Sequence, residues 1–284
     1  MTNRDTTPIR SVVAFYIGAI AISWSCWLLV IAAEKGLVTL PGGASGSLVL
    51  IGGFGPLFSA VAMTGQSSGR RGLLALLNQG VRWRVPLRWY AAALLLPPLL
   101  RFAVLGLHFL KGGTFPGLTE ADRWLAFPAT FAFVLILGGP LGEEVGWRGY
   151  SQPRLQNRLG ILQSSLVIGV GWTVWHLPLF LIASTPQSHL PIAFFIARTI
   201  SLSVISGWIW NRSGGSLFLV LLFHASLNTW PNTLFILEAQ GTPGPYISST
   251  ILYIGWAILL ILLGQLAPRG SAVRLRTDTK QAAA

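Results

Sequence analysis

The chain has 284 residues, of which 52% are hydrophobic and only 10% charged, with a mean hydropathy of +0.63. That composition excludes an ordinary soluble domain and predicts an integral membrane protein with several spans in one domain. A net charge of +12 and a pI near 11.2 would suit a nucleic-acid binder, but no basic patch is interleaved with aromatics, so nucleic acid is excluded as a partner and membrane lipid expected instead.

In chain order, apolar runs fall at about 12–33, 45–64, 88–110, 124–147, 162–184, 188–210, 216–237 and 246–266. Each approaches or exceeds the ~20 residues that a helix needs to cross a bilayer, so the expected fold is all-α: eight transmembrane helices in one bundle around a polar cavity. The first run is too long for a signal-peptide core and is read as a retained span. The connectors "TLPGGASG", "TGQSSGRRG", "LKGGTFPG", "NRSGG" and "GTPGP" break helices through glycine freedom and proline's missing donor. No internal repeat is visible, and the polar stretch 267–284 is expected to be a disordered cytoplasmic tail.

Lys and Arg concentrate in cytoplasmic loops. One set of connectors, with the termini, carries Arg4, Arg10, Arg70, Arg71, Arg82, Arg84, Arg88, Arg148, Arg154, Arg158, Arg212, Arg269, Arg274, Arg276 and Lys280; the alternate connectors hold only Lys35, Lys111 and Arg123. The bias predicts a multi-pass protein of the cytoplasmic membrane with both termini in the cytoplasm. Arg101 and Arg198 remain inside spans, to snorkel or pair there. Trp24, Trp27, Trp83, Trp89, Trp124 and Trp208 sit near expected span ends as interfacial anchors. Cys26, the sole cysteine, rules out a disulfide framework and reads as filler.

Against this background "LGGPLGEEVGWRGYSQ", residues 137–152, stands out, because it puts Glu143, Glu144 and Arg148 where the fourth span should be finishing. At ~2.5 to 3.5 kcal/mol each near a bilayer centre, three charges would together cost roughly 8 to 10 kcal/mol before pairing, comparable to a typical whole-protein stability of ~5 to 15 kcal/mol. Glu144 precedes Arg148 by four residues, the favourable order for a pair on one helix face, and Glu143 points about 100° away. The alternative leaves all three solvated in a cytoplasmic loop.

Two histidines lie in otherwise apolar helices: His176 in "VIGVGWTVWHLPLFLIA" and His224 in "SLFLVLLFHASLNTWPN". His224 and Asn228 share a helix face, and Pro178 and Pro231 are expected to kink the two helices nearby. A rise of 1.5 Å per residue places His224 ~12 Å and His176 ~20 Å from the cytoplasmic ends of their spans. His108 and His189 fall at the opposite, extracytoplasmic interface. Two glutamates, two histidines, an asparagine and an arginine suit hydrolysis: a carboxylate in an apolar pocket takes a proton from water, while imidazole and amide bind an oxyanion. Alternatively Glu143, His176 and His224 hold a zinc ion with water in its open position. No linear HExxH signature is present.

The residues "EEVGWR", "WTVWH" and "HASLN" resemble, in order, the EExxxR, FxxxH and HxxxN/D motifs of the CPBP intramembrane proteases. This is the CAAX-prenyl-protease and bacteriocin-processing, or Abi, family, and the resemblance covers about residues 124–240. "GGFGPLFSA" in the second span is also similar to bacterial members. Trp172 stands where the motif has phenylalanine. The resemblance implies an intramembrane endopeptidase in which Glu143 activates water with help from His176, Glu144 and Arg148 form a supporting ion pair, and His224 with Asn228 stabilises the oxyanion. It implies a peptide or membrane-protein substrate, prenylated for eukaryotic relatives, and leaves zinc-dependent and metal-free glutamate mechanisms both open. Two further classes stay in view: a proton-coupled transporter, for which the missing repeat is unfavourable, and a catalytically inactive scaffold or bacteriocin-immunity protein.

Overall fold

The computed structural model describes residues 9–112, 121–234 and 243–266, and among these residues the regular structure is entirely helical. Ten α-helices follow in order: α1 (Ile9–Glu34), α2 (Ala44–Gly52), α3 (Gly55–Gly80), α4 (Leu87–Leu110), α5 (Ala121–Leu137), α6 (Pro140–Glu144), α7 (Gln152–His176), α8 (Ile192–Arg212), α9 (Leu217–Leu234) and α10 (Pro243–Leu262). A π-helical turn, Val145–Ser151, joins α6 to α7, and a 3₁₀ turn, Leu177–Leu181, follows α7. The chain is a multi-pass membrane protein with an all-α fold. The expected tail 267–284 lies outside the described residues.

Within the described residues each apolar run of the sequence lies mostly on helix, but the runs are cut differently from the simple expectation. Among the described residues five helical stretches are long and apolar enough to cross a membrane, or six if α2 and α3, bent by 48° at Gly53–Phe54, form one broken span. One of the five is the continuous stretch Trp124–Leu181, which takes in two expected spans. The apolar part of α9, Leu217–Trp230, falls short of that length. Hydropathy reports how much apolar chain is present, and glycine and proline decide where it turns.

Three such places position the site. The fourth span does not run to residue 147: α5 stops at Leu137, Gly139 takes φ 111°, and Pro140 opens a new helix. That backbone conformation is reserved for glycine, and proline suits a first helical turn. Glu143 and Glu144 therefore sit at the start of a helix. At Gly160 (φ 77°) α7 bends, separating an amphipathic first part bearing Arg154 and Arg158 from the apolar part that carries Trp172 and His176. Pro178 ends α7 in the 3₁₀ turn instead of kinking a longer helix, whereas α9 runs on to Leu234, past Pro231.

Packing pairs α1 with α3, α7 with α8, α4 with α9 and α10 with α8. An aromatic column joins α1, the π-turn and α7. Trp147 lies 5.5 Å from both Phe15 and Tyr16 and 6.0 Å from Trp175, which in turn meets Trp27 at 4.8 Å. Trp27 is thus a core residue and not an interfacial anchor: it is 1% exposed and donates its indole N–H to the Val49 carbonyl. Trp24 likewise turns inward, to the Trp175 carbonyl at 3.0 Å. Trp83 and Trp124 stay exposed, and Trp89 stacks edge-on against Trp208. Arg101 is buried, and Arg198 bonds Ser249 Oγ at 2.8 Å and lies over the rings of Tyr246 and Tyr253. His108 is half-buried at the end of α4, and His189 is exposed.

Candidate active site

The six residues singled out in the sequence come from three places in the fold: Glu143 and Glu144 on α6 with Arg148 on the π-turn, His176 at the last position of α7, and His224 with Asn228 on α9. Glu144 and Arg148 are fully buried and Glu143 only 6% exposed, so a solvated loop is not their environment. Arg148 is accordingly removed from the basic residues of the cytoplasmic loops. π-Turns are rare and concentrate at functional sites; this one holds Arg148 inside the bundle.

Close glycine contacts bring α6 and the π-turn against the bend between α2 and α3. A Cβ at Gly142 would stand 2.6 Å from the Gly53 carbonyl oxygen, and one at Gly146 would stand 2.6 Å from Pro56 Cβ. The segment "GGFGPLFSA" is therefore the surface on which the acidic helix is seated.

Around Glu144 the geometry is that of a shared charge. One oxygen, Oε2, lies 3.6 Å from Arg148 Nε, and the other, Oε1, is 3.0 Å from His224 Nδ1. Arg148 Nη2 also reaches the carbonyl and hydroxyl oxygens of Ser203 on α8, at 3.4 and 3.3 Å, while the Ser203 hydroxyl donates to the Ser165 carbonyl. These bonds complete the buried ion pair only in part, since Glu144 Oε2 and Arg148 Nε and Nη1 have no hydrogen-bond partner among the described residues. The sequence indicated the Glu144–Arg148 pair but not the link from Glu144 to His224, across 80 positions of chain, nor Ser203.

Glu143 turns the other way. Its Oε2 accepts the indole N–H of Trp172, and its Oε1 lies against Gly139, where a Cβ would be only 2.7 Å away. Asn228 Nδ2 comes close to the same point, 3.7 Å from that Cβ position, and donates to the Gly138 carbonyl at 3.2 Å. Trp172 links the parts: its ring centroid is 5.4 Å from that of His224 and 6.0 Å from that of His176, and Arg148 Cζ lies 5.7 Å from it. His176 is the last residue of α7, and Trp172, one turn before it, lies between its ring and that of His224.

The two histidines differ in what their second nitrogen can do. His176 Nδ1 meets the Trp172 carbonyl at 2.8 Å; a carbonyl only accepts, so Nδ1 carries the proton and Nε2 of the neutral ring is an acceptor. His224 gives Nδ1–H to a carboxylate, which can balance a ring protonated on both nitrogens, and such a ring has Nε2–H to donate. Among the described residues no three His, Cys, Asp or Glu side chains stand so as to hold one metal ion. Glu143, His176 and His224 are not grouped in that way in this arrangement.

Residues 123–230 match the family described as type II CAAX prenyl endopeptidase Rce1-like. Over 103 residues the chain is 29% identical to a protein named CAAX prenyl protease 2 of Methanococcus maripaludis, an overlap that covers 34% of this chain and 37% of that one. Both matches support the CPBP-type protease resemblance read from the motifs.

Proposed function

We propose that this chain, whose residues 123–230 carry a core of the Rce1-like CAAX endopeptidase type, is an intramembrane endopeptidase that hydrolyses a peptide bond with water activated by Glu143. The observation that carries the reading is the asymmetric holding of the Glu143 carboxylate: one oxygen is engaged by Trp172 and the other faces the Gly139–Asn228 side, within a buried cluster of both histidines and the Glu144–Arg148 pair.

Glu143 takes one proton from water as the hydroxide oxygen bonds to the scissile carbonyl carbon, and the carbonyl π electrons pass to oxygen. His176 Nε2 accepts a hydrogen bond from the same water and orients it. The oxyanion takes hydrogen bonds from the doubly protonated His224 ring, whose charge Glu144 balances, and from the Asn228 amide. The C–N bond then breaks as Glu143 returns its proton to the leaving nitrogen, giving a carboxylic acid and an amine. Asn228 must exchange the Gly138 carbonyl for the oxyanion, a change between two acceptors on one donor group. The proposed substrate is a membrane-anchored protein or peptide cut near the cytoplasmic face, with CAAX-type prenylated C-termini as the first class to examine, because the Methanococcus maripaludis relative is named a CAAX prenyl protease.

The test is cleavage of membrane-anchored peptides, prenylated and unprenylated, by the full chain in lipid nanodiscs. Glu143→Gln keeps the shape of the side chain and removes its basicity, so turnover should vanish while the melting temperature holds. His224→Ala should lower the rate about 100- to 1,000-fold, the usual loss for one oxyanion donor. A metal-dependent mechanism would instead show activity lost to chelators and metal content lost in His224→Ala. Undiminished cleavage by Glu143→Gln would overturn Glu143 as the water-activating base, and no cleavage of any of these peptides by the unaltered chain would favour a transporter or an inactive scaffold.

A further inference from the structure

In the family motif that residues 172–176 resemble, the first position is phenylalanine, whose ring carries no hydrogen-bonding atom. Here it is Trp172, and an indole adds one N–H donor. That donor is committed: it bonds Glu143 Oε2. Trp172 is 4% exposed, so little water competes for the bond. The same residue meets the His224 ring, lies beside the Arg148 guanidinium and accepts the His176 Nδ1–H on its carbonyl. It thereby touches four of the six residues to which the motifs point.

The terminal torsion of a glutamate is broad and nearly two-fold, so a carboxylate held at neither oxygen can turn and exchange them. An N–H fixed to Oε2 removes that freedom and leaves Oε1, on the Gly139–Asn228 side, as the oxygen that meets water. We propose that Trp172 is a positioning residue for the reaction, its indole N–H pinning Glu143 Oε2 so that Oε1 alone serves as proton acceptor. The inference rests on the hydrolytic role given to Glu143. It assigns to this chain a device that a phenylalanine at 172 could not supply, and it makes the exchange at this position a change of chemistry as well as of packing.

Trp172→Phe keeps an aromatic ring in the core and deletes only the donor and one ring's breadth. In nanodiscs, with the peptides used for Glu143→Gln, kcat should fall about 10- to 100-fold, the worth of one hydrogen bond to a charged group. KM should stay within about twofold, since the residue acts through Glu143 and not on substrate. A second measurement uses intact Trp172: in ¹⁵N-tryptophan-labelled protein, the indole resonance missing from Trp172→Phe should lie downfield and move upfield in Glu143→Gln, whose amide is a weaker acceptor. If Trp172→Phe keeps its kcat while Glu143→Gln is inactive, the positioning role falls and the hydrolytic reading stands. If no indole resonance moves upfield in Glu143→Gln, the proposal also falls, and that outcome is read whether or not Trp172→Phe folds. Full activity in Glu143→Gln would remove both, and the resonance would then report whether the bond itself exists.

Discussion

At the scale of single residues, the burial of charge determines what each side chain is worth. Arg148 is fully enclosed, serves Glu144 and reaches Ser203, so Arg148→Ala leaves a carboxylate without its cation and a void where the longest buried side chain of the site had been. Breaking such a pair costs about 3 to 5 kcal/mol; His224, still on the other oxygen of Glu144, offsets part of it. Asn228 is only half-buried and its bond to Gly138 joins neutral groups, for which about 0.5 to 1.5 kcal/mol is usual. Thermal unfolding in detergent should therefore place Arg148→Ala well below Asn228→Ala. Equal melting temperatures would mean that water reaches Arg148.

At the scale of elements, the site depends on how closely α6 and the π-turn approach the bend between α2 and α3. The nearest neighbours of a Cβ at Gly146 are the ring and backbone of Pro56, at 2.6 to 2.9 Å, and neither can swing aside as a flexible side chain would. Overpacking of this kind costs about 1 to 3 kcal/mol, so Gly146→Ala should lower the melting temperature and, by tilting α6, reduce cleavage as well. Gly106 on α4 has open space around its Cβ position, and Gly106→Ala should be neutral or slightly stabilising through the unfolded chain. Comparable losses in the two variants would show that the approach of α6 to Pro56 is not tight. The same close contact suits the glycines of "GGFGPLFSA", because small residues let helix backbones approach within a membrane.

For the whole molecule, the basic connectors predict an orientation with both termini and the first part of α7, Arg154 and Arg158 included, on the cytoplasmic side. In a Cys26→Ser background, Gly42→Cys should react with an impermeant thiol reagent from outside the cell and Arg70→Cys only from inside. Gly42 is the better outside probe than its neighbour Gly43, whose φ of 79° disfavours any side chain; position 42 is exposed with free space at its Cβ. The reverse labelling would invert the molecule.

Composition and the length of the apolar runs determined that the chain is an all-α membrane protein, because a continuous apolar run of span length satisfies its backbone in lipid as a helix. Local spacing determined the Glu144–Arg148 pair and the common face of His224 and Asn228, because a helix brings together residues three and four apart. Where the fourth span would stop was not legible: glycines and a proline at 138–142 allow several breaks, and only packing against Gly53 and Pro56 selects the one at Gly139. Trp27 passed for an anchor because hydropathy does not tell a lipid-facing indole from one enclosed between α1, α2 and α7. Nor could any pattern along the chain reveal that Glu144 bonds His224, that Ser203 meets Arg148 or that Trp172 holds Glu143. Those contacts join residues 80, 55 and 29 positions apart, and such distances are closed only by the packing of helices that are not neighbours in sequence.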